Sequence, residues 1–315
     1  MHKYIKFILS TFVLTPLAFI NLTLFLPPTK QLTLSRNGNL DPKPRGPAIA
    51  SLVTNEDYDI IAMCMALNSL KNLPDNSSAP ALIFNEGNLF FRQIEHLRNC
   101  TPRELFFPLV DFSVFPKGFD PVNSTSNWSR RSKWGYHQMI SFWITNIWEH
   151  DAITPYDTIM RIDSDSCWSH PVQTDGPRRY LPGLPKGKVY YANHLMYDEP
   201  FVTENFVEFT SDYIARENIT VMNPDLLKSH RSVDNLTRIT YNNFEVSSVD
   251  FMLRPEVRKW HFRITNEAPF HVFKYRWGDA IERFATMAIF MDPSEIAGDM
   301  GLIPEYAHSG VCTVS

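Results

Sequence analysis

Apolar and polar positions change period several times along the chain. AIASLV, Ala48 to Val53, is a nearly unbroken apolar run and predicts a buried strand. DYDIIAMCMALNSL, Asp57 to Leu70, spaces its apolar residues at helical intervals, with Asn55 or Asp57 placed to cap the helix. APALIFN, Ala79 to Asn85, predicts a second strand. HQMISFWITNIWEH, His137 to His150, predicts an apolar-rich helix. TIMRI, Thr158 to Ile162, and KVYYANH, Lys188 to His194, predict a third and a fourth strand. In RITYNNF, Arg238 to Phe244, the residues Ile239, Tyr241 and Phe244 mark a segment packed against the core. IERFATMAIFM, which follows Ala280, reads as an amphipathic helix with Asp279 at its start as a candidate N-cap. Strands alternating with helices imply an α/β sheet with parallel strands. No internal repeat is visible.

The N-terminus has a different pattern. Phe7 to Leu26 is a run of 20 residues without a charge, preceded by His2, Lys3 and Lys6. That is the length of a membrane-spanning helix. A cleaved signal peptide is the rival reading, but its apolar region is shorter and ends in small residues. This run ends in Phe25-Leu26-Pro27-Pro28. The expected organisation is a cytosolic tail over 1–6, a signal-anchor helix over 7–26, a Pro- and Gly-punctuated stem over 27–46 and a lumenal domain over 47–315. The lysines before the apolar run set that orientation.

Composition narrows the classes. The chain has 315 residues, is 44% hydrophobic and carries a formal net charge of -4. Nothing in that balance suggests a nucleic-acid partner. Asn-x-Ser/Thr acceptors occur at Asn76, Asn123, Asn127, Asn218 and Asn235, consistent with a lumenal domain. The four cysteines are Cys64, Cys100, Cys167 and Cys312, an even number that a secretory compartment allows. Their pairing is not readable, and Cys64 in its apolar run also fits a buried free thiol.

Candidate chemistry begins just past the third strand. Asp163 and Asp165 follow TIMRI one residue apart. Ligands of open α/β sheets sit beyond the carboxyl ends of strands. Two carboxylates there suit a hard divalent cation, which can neutralise the diphosphate of a nucleotide-sugar. Two surface acids in a turn are the bland alternative.

Two later stretches carry more. NNFEVSSVDFMLRPEVRKW, Asn242 to Trp260, is followed by HVFKYRWGDAIERFATMAIFMDPSEI, His271 to Ile296, and then by Tyr306-Ala307-His308 and Cys312. This order resembles the fungal α-1,2-mannosyltransferase family, type II Golgi enzymes that extend mannose chains on proteins and lipids. The resemblance runs from about Ala48 onward and is densest from Asn243 to Asp279. It implies a GT-A-like nucleotide-sugar-binding sheet flanked by helices, behind an N-terminal transmembrane helix. It also implies a retaining, Mn²⁺- or Mg²⁺-dependent enzyme that transfers mannose from GDP-mannose to a mannose-containing glycan.

Position by position, the resemblance implies these roles. Asp163 matches a metal-ligating glutamate beside the nucleotide-sugar, and Asp165 shares the binding because the shorter Asp163 arm reaches less far. His308 matches a metal-binding histidine. Glu245 matches the carboxylate that stabilises or traps the sugar cation. Asp279, in Trp-Gly-Asp, matches a reaction-centre aspartate, and Tyr136 a tyrosine against the guanine nucleotide. Trp277 is expected to pack. Family members continue Trp-Gly-Asp-Ala with Pro-Val-His; this chain has Ile281-Glu282-Arg283, and Arg283 is expected to face solvent, with a phosphate as the alternative. An ion pair of Glu245 with Arg254 or Arg258 is the structural alternative to its catalytic role. Two other functions fit the same pattern: a related glycosyltransferase with another nucleotide-sugar, and an inactive lectin-like membrane protein of the same fold.

Overall fold

The computed structural model describes residues 46–75, 78–126, 134–231, 235–298 and 300–308. The expected anchor, nearly all of the stem, Asn76, Asn127 and Cys312 lie outside them. Among the described residues no helix is long and apolar enough to cross a membrane. The described acceptors Asn123, Asn218 and Asn235 are all exposed.

Among the described residues eight strands are formed: β1 (Pro47–Leu52), β2 (Ala81–Phe84), β3 (Leu105–Phe106), β4 (Thr158–Ile162), β5 (Ser166–Trp168), β6 (Tyr190–Asp198), β7 (Thr237–Ser248) and β8 (Tyr306–His308). Six make the central sheet in the order β3-β2-β1-β4-β7-β6, while β5 and β8 form a separate ribbon. The first four strands of that order pair in parallel, Ala50 standing between Leu82 and Arg161. All five residues of β4 are buried, as its covered position between two neighbours requires.

The expected all-parallel sheet is corrected to a mixed one. β7 runs antiparallel to both β4 and β6. It comprises 12 residues, where the sequence suggested only a packed segment. Its insertion between β4 and β6 sets Glu245 directly opposite Arg161 on one side and Ala192 on the other. The register slips between Ala192 and His194, an irregularity beside the candidate site.

Helices cover both faces. One face carries Gly135–Ser141, Pro255–Thr265 and Asp279–Phe290, with Trp143, Trp260, Trp277 and Phe284 in its core. Trp277 is fully buried and its ring stacks with those of His271 and Tyr275, so it packs as expected. The other face carries Asp57–Ser69 and Phe91–Asn99 over Ile49, Ile83, Met160 and Val246.

Local details depart from the sequence reading. The expected helix over His137 to His150 is α-helical only to Ser141 and continues as a π-turn over Phe142–Asn146. Neither Asn55 nor Asp57 caps the first helix; Glu56 holds that position, and Asp59 turns back to accept from the Thr54 N–H at 2.6 Å. Gly278 is the N-cap of the last long helix, which makes Asp279 its first residue, where a negative charge meets the positive helix end. Cys64 is disulfide-bonded to Cys100 and ties two helices together, which excludes the free thiol. Cys167 is disulfide-bonded as well.

Candidate functional site

β4 ends at Ile162, and the chain turns at once. Asp163, Ser164 and Asp165 make that turn, and β5 begins at Ser166. The Ser164 hydroxyl donates to Asp59 Oδ1 at 2.5 Å, anchoring the middle of the turn to the first helix. β5 pairs antiparallel with β8, Ser166 opposite His308. This ribbon carries the late histidine back to the two aspartates.

Oxygens of Asp163 and Asp165 and a ring nitrogen of His308 all lie within 4.8 Å of one another. His308 Nε2 is 3.2 Å from Asp165 Oδ1 and 4.0 Å from Asp163 Oδ2. The other ring nitrogen, Nδ1, is hydrogen-bonded to the Tyr241 hydroxyl at 2.8 Å, which leaves Nε2 aimed at the carboxylates. Burial pulls the His308 imidazole down, but the hydrogen bond to Asp165 and the charges of both aspartates outweigh it and move it up. Two carboxylates and one imidazole converging fit a divalent cation, Mn²⁺ better than Mg²⁺ because of the nitrogen donor.

Arg161 links this rim to the interior. Its Nε donates to Asp163 Oδ1 at 3.1 Å, and its Nη1 donates to Asp279 Oδ2 in a close ion pair. Its guanidinium lies 4.3 Å from the centre of the Trp143 ring. Asp279 Oδ2 also accepts from Asn242 Nδ2 at 2.9 Å. Burial pushes the Asp279 carboxyl up, yet the Arg161 charge and hydrogen bond hold it below its usual range. Burial and the neighbouring Asp279 push Asp163 the other way and outweigh Arg161. Tyr136 lies half-buried nearby, with Arg276 5.6 Å from its ring centre. Burial, with lesser contributions from Asp279 and Asp198, raises its hydroxyl, so it stays a neutral donor.

Glu245 lies deeper. It is 1% exposed and accepts from the Tyr190 hydroxyl at 2.8 Å. Arg283 Nε donates to its Oε2 at 3.0 Å and Nη2 to its Oε1 at 3.3 Å. The expectation that Arg283 faces solvent is therefore corrected: its side chain is fully buried. The alternative partners are corrected too, since Arg254 pairs with Glu295 and Arg258 with Glu149. Helical geometry explains both: position 283 is four residues beyond Asp279 and faces the sheet as Asp279 does.

The structure thus gathers Asp163, Asp165 and His308 at one rim, with Tyr136 and Asp279 beside Arg161 and Glu245 behind. Arg161, Tyr190, Tyr241 and Arg283 were missed as partners. An arginine inside the apolar TIMRI was a readable signal, because a buried guanidinium needs carboxylates. A separate cleft of about 460 Å³, lined by Thr145, Trp148, Arg258 and Phe262 among others, contains none of the candidate residues.

No protein-family model matches the chain. O-glycoside α-1,2-mannosyltransferase homolog 2 of Schizosaccharomyces pombe is 25% identical over 282 residues, spanning 82% of this chain and 72% of that protein. Probable mannosyltransferase KTR3 of Saccharomyces cerevisiae is 26% identical over 167 residues, 51% of this chain and 39% of the relative. Among solved structures, the mannosyltransferase Ktr4p of S. cerevisiae superposes with a TM-score of 0.68 at 19% identity, over 86% of this chain and 72% of that one. Core-mannan synthase A of Aspergillus fumigatus, in its Mn/GDP form, gives 0.63 at 16% identity, over 80% and 72%. The likeness first seen in a few motifs extends along most of the chain, which is similar in sequence to fungal mannosyltransferases and has the fold of two solved ones.

Proposed function

We propose that this protein is a retaining, metal-dependent glycosyltransferase. It transfers mannose from GDP-mannose to a mannose-containing glycan on glycoproteins or glycolipids, in α-1,2 linkage. The observation that carries the reading is the convergence of Asp163, Asp165 and His308 past β4. The Mn/GDP form of a structural relative supports the choice of metal and nucleotide. We also infer a type II Golgi membrane protein held by 7–26, a reading supported by the exposed acceptor asparagines.

Asp163, Asp165 and His308 would hold the cation, which when bound offsets the charge that develops on the departing diphosphate. The side chains supply the rest. Arg161 fixes Asp163 and Asp279 relative to each other, so the diphosphate end and the sugar end keep one geometry. Asp279, at the surface of the buried cluster, and Glu245, behind it, supply the negative charge that favours an oxocarbenium-like sugar. Tyr136 walls the nucleotide.

The test is a donor screen. The full chain in detergent is offered GDP-mannose and UDP-sugars with Mn²⁺ and a mannoside acceptor, and released nucleotide and product linkage are scored. Turnover with GDP-mannose alone supports the proposal. Turnover with a UDP-sugar alone replaces the donor, and no turnover with any donor replaces the enzyme by a binding protein. Topology is tested separately by glycosidase, which should shift the mobility of the expressed protein.

A further inference from the structure

Arg283, on the helix Asp279–Phe290, is fully buried, and all of its donors are used. Nε and Nη2 fork onto the two oxygens of Glu245. Nη1 donates to Glu282 Oε2 at 3.2 Å and lies 3.7 Å from the Met252 sulfur. Nη2 also donates to the Trp143 carbonyl at 3.1 Å, in the π-turn. Glu282 is itself fixed. It accepts from Trp260 Nε1 at 3.0 Å and from the Thr286 hydroxyl, and His261 Nε2 lies 3.1 Å from it.

A buried Glu–Arg–Glu cluster is a poor way to stabilise a fold, since well-packed apolar residues of similar volume do as well or better. It is a good way to hold one carboxylate still. The fork fixes both oxygens of Glu245, and the Glu282 side fixes the fork. The guanidinium also keeps a counter-charge beside Glu245 where water does not reach.

We propose that Arg283 is a positioning residue for the transfer reaction, acting through Glu245, with Glu282 as its anchor. This rests on the reading of Glu245 as the carboxylate that stabilises the sugar cation. Arg283 touches neither donor nor acceptor, and its effect is confined to the rate of the transfer step.

The test is a double-mutant cycle on the full chain, with kcat and donor KM measured for each variant and active protein counted by GDP binding. Glu245→Gln should lose about 1,000-fold in kcat, the scale of one electrostatic stabiliser. Arg283→Met should lose about 100-fold, the scale of a misplaced reacting group, with donor KM within about twofold. Arg283→Lys keeps the charge without the fork and should recover about half of that loss on a logarithmic scale. The decisive result is the double variant, Glu245→Gln with Arg283→Met. It should be no slower than Glu245→Gln alone, because nothing remains to be positioned.

A folded Arg283→Met protein with wild-type kcat overturns the proposal, as do losses that multiply in the double variant. If Arg283→Met does not fold, Arg283→Lys decides: an unchanged kcat overturns the proposal and a loss at constant KM supports it. Wild-type kcat in Glu245→Gln removes the underlying reading, whatever the Arg283 variants do.

Discussion

The acidic rim, past the end of β4, and the buried ion cluster, around Glu245 of the neighbouring β7, solve opposite problems. At the rim, the side chains of Asp163, Asp165 and His308 are 29%, 47% and 21% exposed and crowd toward one another. Inside, Glu245, Glu282 and Arg283 are essentially without exposure, and their charged atoms meet charges or donors. Two partly exposed aspartates that gather with an imidazole suit a mobile cation. Two glutamates locked around an arginine leave none. The number of carboxylates does not separate the two regions; the source of the compensating charge does, and so does whether it can leave. Arg161 belongs to both, since it pairs with Asp163 at the rim and Asp279 inside.

The strongest break in the comparison is chemical. Excess chelator should abolish transfer, and Mn²⁺ should restore it better than Mg²⁺. Asp165→Asn should lose at least about 1,000-fold in kcat/KM even with Mn²⁺ present, because a charged ligand becomes a neutral one. Steady-state rates across a Mn²⁺ titration check this. Full activity in chelator, or in Asp165→Asn, would take the metal out of the rim.

The same pair of regions should respond in reverse when folding is measured. Glu282→Gln leaves Arg283 with a buried charge that Glu245 alone must balance, and it should cost about 3 kcal/mol or more in urea unfolding. Asp165→Asn, at the surface, should change stability by about 0.5 kcal/mol or less. Equal losses in both variants would mean that the rim is also scaffold.

Much of the architecture was legible because it depends on short apolar runs. TIMRI, AIASLV and ALIF became parallel neighbours, as their uniform burial demanded. β7 was not legible as a strand. It joins Thr240, Asn242, Asn243 and Glu245 to apolar residues, and that polar content looked unlike a central strand. Asn242 is buried against Asp279, Thr240 against the Ala280 carbonyl and Glu245 against Arg283 and Tyr190, partners supplied by distant parts of the chain. Arg283 was misread for the same reason: a helix pattern gives its face, but the acid awaiting it there is 38 residues away. The two rim aspartates were legible from their place just past a buried strand, His308 came through resemblance, and the geometry adds Tyr241 and Arg161 to them.

A third prediction concerns a buried titratable group outside both regions. His230 is 1% exposed, stacks on Phe284 and, among the described residues, has no hydrogen-bond partner on either ring nitrogen. Burial, helped by the Arg231 charge, depresses it from 6.5 to about 4. Above pH 6.5 both folded and unfolded chains carry it neutral, so its contribution is fully present. As pH falls from there toward 4, the unfolded chain takes up a proton that the folded one refuses. Stability should drop by about 3 kcal/mol over that window. His230→Leu should flatten this part of the stability–pH curve. An unchanged slope would assign acid lability to the carboxylate clusters instead.

The smallest expected effect sharpens the rim itself. Tyr241 comes from β7 and bonds His308 Nδ1, so the central sheet orients an imidazole carried by the separate β5–β8 ribbon. Tyr241→Phe removes one oxygen and keeps the ring, which packs edge-on against His308 at 5.7 Å. The aspartates are untouched, and the fold should be too. Groups that orient a metal-binding histidine are worth about 10- to 100-fold in affinity, so Mn²⁺ binding measured by titration calorimetry should weaken by that factor. Activity should return at saturating Mn²⁺, which separates an orienting role from a chemical one. If affinity is unchanged while Asp165→Asn has lost it, His308 either needs no orientation or is no ligand. His308→Gln then separates these: retained Mn²⁺ affinity in that variant leaves the two aspartates as the whole protein contribution to the cation.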